Sequence, residues 1–181
     1  MKKNKLVVIG GDAAGMSAAS KVRREQPDFE IIVFEKSAYT SYSACGIPYF
    51  ISGKVAALDE LIVRSPEKFT EKYNIQAKTL HEVLEVDTDN NKVLVHNYND
   101  KTQFWESYDQ LLIATGGKAF CPEVENHKAD GIFGIQTLTS GQKVDAFITK
   151  HKPKNAVIVG GGYIGLEMAE ALILKGLKVT I

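Results

Sequence analysis

Net charge, cysteine and long apolar runs are all scarce in this sequence, and each shortage narrows what the chain can be. Its 22 basic side chains are matched by 22 acidic ones, so no overall field draws it to nucleic acid or to an anionic membrane. Cysteine occurs twice, at Cys45 and Cys121, too few for a disulfide framework and at no metal-ligand spacing. The four histidines likewise have no metal spacing. No apolar stretch approaches the roughly 18 residues of a membrane span. Lys2-Lys3-Asn4-Lys5 leads into only Leu6-Val7-Val8-Ile9, shorter than the apolar region of a signal peptide. The expectation is a cytoplasmic protein with no metal, no nucleic-acid partner and no membrane attachment. In a reducing compartment a lone cysteine is either inert packing or a reactive thiol, and its surroundings decide which.

What is present is ordinary globular material. Hydrophobic residues make up 44% and charged residues 24% of the 181, which argues against disorder and allows a sizeable core. Leu6 to Ile9 is a short apolar run of the kind a buried parallel strand requires. An alanine-rich helical stretch, Ala13 to Arg24, follows a cluster of glycines, and Pro27 stops it. Ile31-Ile32-Val33-Phe34 is a second buried strand. Strand, helix and strand within about thirty residues form a right-handed βαβ unit.

Farther along, residues 36–44 read as a polar loop. Cys45-Gly46-Ile47-Pro48 opens a stretch expected to be helical through Ser52, with Pro48 in its first turn. A short helix is predicted over 66–73. From Ile75 to Tyr108 the pattern alternates, with Asp89-Asn90-Asn91 and Asn99-Asp100 as turn signals, predicting an antiparallel meander. Leu111 to Ala114 is another buried strand, ending at Thr115-Gly116-Gly117. A helix is predicted over 140–150. Then Ala156-Val157-Ile158-Val159 restarts the opening theme: glycines, a helix from Ile164 to Lys175, and Val179-Thr180-Ile181.

The fold class expected is therefore α/β. It comprises a doubly wound Rossmann-like domain with an antiparallel β-meander over 1–150, and the first βαβ of a second Rossmann-like domain over 151–181. Because that second repeat breaks off in a strand, the chain reads as a fragment of a longer protein.

Two glycine clusters carry the chemistry. In Gly10-Gly11-Asp12-Ala13-Ala14-Gly15, Gly10 and Gly15 fit the G-x-G-x-x-G pattern, while Asp12 stands at the middle glycine. Gly10 would allow the tight turn out of the strand and Gly15 the close approach of helix to sheet. A pyrophosphate would sit at the helix N-terminus, where free N–H groups favour negative charge. A side chain at Asp12 would crowd it. Glu35 ends the second strand twenty residues after Gly15, where a carboxylate accepts hydrogen bonds from ribose hydroxyls. The second cluster, Gly160-Gly161-Gly162-Tyr163-Ile164-Gly165, fits in full. The acid that would separate NAD from NADP is expected just beyond Ile181. Two such units imply two dinucleotides, and a flavin reduced by a nicotinamide is the common reason to hold both. The first unit is expected to bind FAD. Cys45 stands where the polar loop meets the predicted helix, so N–H groups and the helix dipole would favour its thiolate.

These segments resemble the coenzyme A-disulfide reductase branch of the FAD-dependent pyridine nucleotide-disulfide oxidoreductases. The resemblance rests on Val8 to Ala19, on Ser41 to Cys45 with Gly46-Ile47-Pro48-Tyr49, on Ala114-Thr115-Gly116 and on Gly160 to Glu167. It implies that Cys45 is the redox cysteine, cycling between thiol and a mixed disulfide with coenzyme A. Classical flavin disulfide reductases carry a second cysteine five residues on, and here that position is Phe50. Ser17, Lys21, Arg24, Ser41 and Ala44 would touch coenzyme A, with Lys72 or Tyr73 nearby. Ala44 departs from the polar residue some members carry, which removes one hydrogen bond. Lys21 and Arg24 lie three apart on one helical face, suited to a phosphate-rich ligand, or simply form a solvated basic face. FAD would meet Gly10, Ala14, Gly15, Glu35, Lys36, Val83, Thr115 and Gly116. NAD(P)H, the co-substrate, would meet Gly160, Gly162, Tyr163, Ile164 and Gly165. Cys121 matches no family role.

The implied protein is a homodimeric enzyme in which NAD(P)H reduces FAD and the flavin reduces a sulfur adduct on Cys45. Coenzyme A disulfide is the expected substrate, with persulfides or polysulfides next. Two alternatives stay open: an NADH oxidase or peroxidase in which the cysteine cycles through sulfenic acid, and a flavin-binding fragment with no turnover of its own.

Overall fold

The computed structural model describes residues 4–181. In chain order the first elements are β1 (Lys5–Ile9), α1 (Ala13–Glu25), β2 (Glu30–Glu35), α2 (Ile47–Ser52), α3 (Pro66–Tyr73) and β3 (Gln76–Thr79). Then come β4 (His81–Asp87), β5 (Lys92–Asn97), β6 (Thr102–Ser107), β7 (Gln110–Ile113), α4 (Leu138–His151), β8 (Asn155–Val157), α5 (Tyr163–Leu174) and β9 (Lys178–Thr180). Packing divides the chain into two units. One holds the residues up to Tyr42 together with Ile62–Gly117, and the other holds Ser43–Leu61 with Lys118–Ile181.

In the first unit β1 runs parallel to both β2 and β7, and β2 runs parallel to β3, giving the order β3-β2-β1-β7. Successive side chains of a strand point to opposite faces. Leu6, Val8, Ile31 and Val33 therefore pack on Met16 and Ala19 of α1 and on Phe69 and Ile75. Val7, Ile9, Ile32 and Phe34 pack on the other side against Val93 and Val95 of β5. Both faces of the sheet are covered, which is why β1 and β2 read as unbroken apolar runs rather than alternating ones. Each fully buried Val, Ile or Phe contributes about 1.5–3 kcal/mol of transfer free energy.

The second sheet of this unit is the antiparallel meander β4-β5-β6. Its start differs from the expectation of a meander running from Ile75. Gln76–Thr79 pairs parallel with Ile32–Glu35 and so extends the first sheet, and the meander begins at His81. The cause is local: Ile75 is fully buried in the α1-side core, and Leu80 adopts φ 56, a left-handed conformation that breaks the alternation and redirects the chain. The Leu80 amide donates to the Ser37 carbonyl at 3.0 Å, and the Leu80 carbonyl accepts from the Tyr98 amide at 2.9 Å.

In the second unit, α4 starts two residues before the helix predicted over 140–150. Its N-terminus is fixed by a capping box in which Thr137 and Ser140 exchange side-chain and backbone hydrogen bonds. A Cβ on Gly141 would lie 2.7 Å from Ile47, so glycine lets α4 and α2 approach closely. The strand expected at Ala156 to Val159 is shorter, and β8 pairs parallel with β9 in the register Asn155↔Lys178 to Val157↔Thr180. Lys175 on the turn after α5 pairs with Asp145 of α4 at 3.1 Å.

Candidate functional site

The first glycine turn sits at the carboxyl ends of β1, β2 and β7. Gly10 has φ 107, its amide donates to the Phe34 carbonyl at 2.9 Å, and a Cβ there would run into the Ala114 carbonyl oxygen. A Cβ on Gly15 would run into the Gly10 carbonyl oxygen. Both positions therefore require glycine, the first for conformation and contact, the second for contact alone.

Asp12, at the middle glycine position, has φ −102, which any L-residue adopts. Its side chain makes no cap hydrogen bond to α1. Instead Oδ1 accepts from the Tyr42 amide at 3.3 Å. The turn accommodates Asp12 because backbone geometry there does not demand glycine, and the carboxylate accepts from the Tyr42 loop. Burial pushes the Asp12 carboxyl up, opposed by the Tyr42 and Ala13 amides and assisted by the charge of Glu35. The Tyr42 phenol is pushed up to about 12 by burial, with Asp12 and then Glu35 adding to it.

Glu35 fastens the turn from the neighbouring strand. Its Oε2 accepts the Gly11 amide and its Oε1 the Ser37 amide, each at 2.8 Å. A carboxylate has about four acceptor sites, so roughly one on each oxygen stays open for a ligand hydroxyl. Thr115 and Gly116 follow β7 as exposed backbone, with the Ala114 amide tied to the Ile9 carbonyl at 2.8 Å. Ala14, in the first turn of α1, and Lys36, just after β2, are exposed. Val83 pairs with Val95, and its side chain packs into the core between the sheets, so any ligand contact there falls to its backbone. A close-approach turn, an open helix N-terminus and a carboxylate with free lone pairs fit a dinucleotide.

On the other side of α1 lies a cleft of about 270 Å³, lined among others by Ser17, Ser20, Arg24, Ser41, Arg64 and Phe69. The structure thus brings together three of the expected coenzyme A residues: Ser17, Arg24 and Ser41. Ser41 is held at φ 48, its amide donating to the Gly11 carbonyl and its carbonyl accepting from Val63 and Arg64. Lys21 is elsewhere, paired with Glu25 at 2.5 Å on the exposed face of α1. Tyr73 stands beneath the Arg64 guanidinium, 4.7 Å from ring centroid to charge, while Lys72 is exposed and does not line the cleft.

Ser20, Arg64 and Phe69 escaped the sequence reading. Ser17, Ser20 and Arg24 share the three- and four-residue spacing of one helical face. Phe69 and Tyr73, four apart on α3, offer a ring pair beside Arg64. Those spacings were the available signal.

Ala44 and Cys45 belong to the second unit. They lie in a single 3₁₀ turn, Ala44–Gly46, that runs into α2. The helix expected to open at Cys45 starts at Ile47 with Gly46 as its N-cap, and the Cys45 side chain is exposed. Gly46 lies close against the Leu61 side chain, where a Cβ would displace the end of the leucine.

The second glycine turn repeats the first. Gly160 has φ 115, a Cβ on Gly165 would run into the Gly160 carbonyl oxygen, and Gly162 takes the N-cap place that Asp12 takes in the first. Tyr163 and Ile164 open α5 and are 90% and 59% exposed.

Residues 4–181 match the family described as pyridine nucleotide-disulphide oxidoreductase. The chain belongs to that family. Among relatives, it is 37% identical over 175 residues to an NADH oxidase of Methanocaldococcus jannaschii, covering 97% of this chain and 39% of the relative. It is 36% identical over 177 residues to a coenzyme A disulfide reductase of Staphylococcus epidermidis, covering 98% of this chain and 40% of the relative. The crystal structure of reduced Bacillus anthracis CoADR-RHD superposes with a TM-score of 0.95 at 31% identity, over 99% of this chain and 32% of that one. That similarity establishes the α/β fold with its parallel and antiparallel sheets. The chain spans about two-fifths of the length of the curated family members it matches.

Proposed function

We propose that this protein is an FAD-dependent NAD(P)H:disulfide oxidoreductase that reduces coenzyme A disulfide through Cys45. The observation that supports it most is the duplicated glycine turn. Gly10–Gly15 and Gly160–Gly165 each follow a parallel strand, open a helix and press that helix onto its own turn. One turn serves FAD, the other NAD(P)H. Residues 1–150 are assigned to an FAD-binding domain with the redox cysteine, and 151–181 to an NAD(P)-binding domain. A cytoplasmic homodimer completes the reading, in line with the family resemblance.

Gly10, Ala14, Gly15, Glu35, Lys36, Val83, Thr115 and Gly116 would hold FAD, with Glu35 on the ribose. FAD, when bound, supplies the two-electron link between a nicotinamide and a sulfur. The rest falls to this chain. The Cys45 thiolate attacks one sulfur of the disulfide, forming Cys45–S–S–CoA and expelling one coenzyme A thiolate. Two electrons originating from NAD(P)H then cleave that mixed disulfide, restoring the Cys45 thiolate and freeing the second coenzyme A. The net reaction is NAD(P)H, a proton and one disulfide giving NAD(P)⁺ and two thiols. Because Phe50 replaces the partner cysteine, the external thiol supplies the second sulfur. Ser17, Arg24 and Ser41 bind the phosphorylated end of coenzyme A.

The relative named NADH oxidase favours a second reading in which Cys45 cycles through sulfenic acid with oxygen or peroxide as acceptor. Comparing NAD(P)H consumption with coenzyme A disulfide and with oxygen or peroxide separates the two. The cofactor assignment is tested by denaturing the purified protein and weighing the released chromophore. FAD is expected. A colourless protein that cannot take up FAD overturns the proposal.

A further inference from the structure

We propose that Arg64 is a second phosphate-binding guanidinium of the α1 cleft, acting with Arg24 to select phosphorylated ligands over the same thiol without phosphate. The inference rests on the coenzyme A reading of that cleft and adds a residue that the resemblance did not name.

One wall of the cleft is the face of α1 that carries Ser17, Ser20 and Arg24, and the opposite wall carries Ser41 and Arg64. Arg64 is anchored through its main chain. Its amide donates to the Ser41 carbonyl and its carbonyl accepts the Thr40 hydroxyl, both at 3.3 Å. The guanidinium lies over two rings, 4.7 Å from the Tyr73 centroid and 5.2 Å from that of Phe69. A cation placed over aromatic rings is held by their quadrupoles without spending its hydrogen-bond donors.

Among the described residues, neither Arg24 nor Arg64 has a side-chain hydrogen bond or ion pair. The adjacent basic groups contrast with them. Arg23 donates to the carbonyls of Pro27, Phe29 and Asn74, and Lys21 is paired with Glu25. No carboxylate lines the cleft. Two guanidiniums facing one space of about 270 Å³ with no counter-charge repel each other until an anion arrives. The arginine fork matches a phosphate ester in two-point geometry, and the Ser17, Ser20 and Ser41 hydroxyls can donate to its remaining oxygens. The volume suits a phosphate and its attached sugar, not a whole coenzyme A.

The test is calorimetric binding of coenzyme A, and separately of pantetheine, to the complete FAD-loaded protein and its Arg64→Gln and Arg24→Gln variants. Each variant should bind coenzyme A about tenfold more weakly, the loss of one charge-assisted contact. Their affinity for pantetheine, which lacks phosphate, should be unchanged. Arg64→Lys keeps the charge without the fork, so it should lose less, and it carries the test if Arg64→Gln fails to retain FAD. Weakening by Arg24→Gln alone, with both Arg64 variants at parental affinity, overturns the role of Arg64 and leaves the coenzyme A reading standing. Parental affinity in all variants overturns both the role of Arg64 and the assignment of coenzyme A to this cleft. A parent protein that binds no coenzyme A overturns the reading on which both depend.

Discussion

The Glu35 carboxylate accepts the Gly11 amide at 2.8 Å, binding the end of β2 to the glycine turn after β1. Its other oxygen accepts the Ser37 amide at the same distance. Replacing it with glutamine leaves one acceptor oxygen for two amides, so one N–H faces an NH₂ group. Glu35→Gln should therefore cost about 1–3 kcal/mol of stability and weaken FAD binding, where the open lone pairs are used as well. Urea denaturation and FAD titration check both. A variant with parental stability and parental FAD affinity would mean that Glu35 neither fastens the turn nor serves the ribose.

Glycines of the first unit differ sharply in what they tolerate. A methyl at Gly15 meets the Gly10 carbonyl oxygen, whereas one at Gly117 meets nothing within 4 Å. Gly15→Ala should destabilise by about 1–3 kcal/mol or more, as overpacking against backbone does, and should weaken FAD retention. Gly117→Ala should stay within about 0.5 kcal/mol of the parent. Equal midpoints for the two variants in thermal denaturation would contradict the close approach of α1 to its turn.

Asp12 gives a prediction in pH. Burial raises its pKa in the folded protein above the ordinary value, so ionising it costs more folded than unfolded. Parental stability is therefore penalised progressively as pH rises from the unfolded pKa, about 3.9, through the folded one. Asparagine at this position carries no charge and can still accept the Tyr42 amide. Asp12→Asn should match the parent at pH values below the unfolded pKa and become the more stable of the two above the folded one. Denaturation midpoints across the acid range check this. A stability difference that is constant with pH, or that favours the parent at neutral pH, would contradict the burial assigned to Asp12.

Much of this was legible in the sequence because buried parallel strands and glycine turns write themselves into short, contiguous patterns. Leu6–Ile9 and Ile31–Phe34 are the short apolar runs expected of strands covered on both faces, and Gly10, Gly15 and Gly165 sit where a side chain would strike a carbonyl, while Gly160 takes a positive φ. Other features depend on contacts distant in sequence. The left-handed turn at Leu80 moved residues 76–79 from the meander into the parallel sheet, and no turn residue marks it. The 3₁₀ turn holding Cys45 packs its Gly46 against Leu61, fifteen positions away. Arg64 shares a cleft with Arg24, forty positions away in the sequence, and lies over Phe69 and Tyr73 of α3. The hydrogen bond from the Tyr42 amide to Asp12, thirty residues apart, likewise leaves no trace in the local pattern.

The central proposal is disulfide reduction through Cys45, and one pair of variants tests it most directly. NAD(P)H oxidation in the presence of coenzyme A disulfide should be measured on the complete protein, alongside its FAD content, for the parent, Cys45→Ser and Cys121→Ser. Cys121 is exposed and has no part in the proposed chemistry, so its variant should keep parental turnover. Cys45→Ser should keep its FAD and lose coenzyme A disulfide reduction to background, because serine cannot form the mixed disulfide. A Cys45→Ser protein that still reduces coenzyme A disulfide at the parental rate would contradict the proposed mechanism.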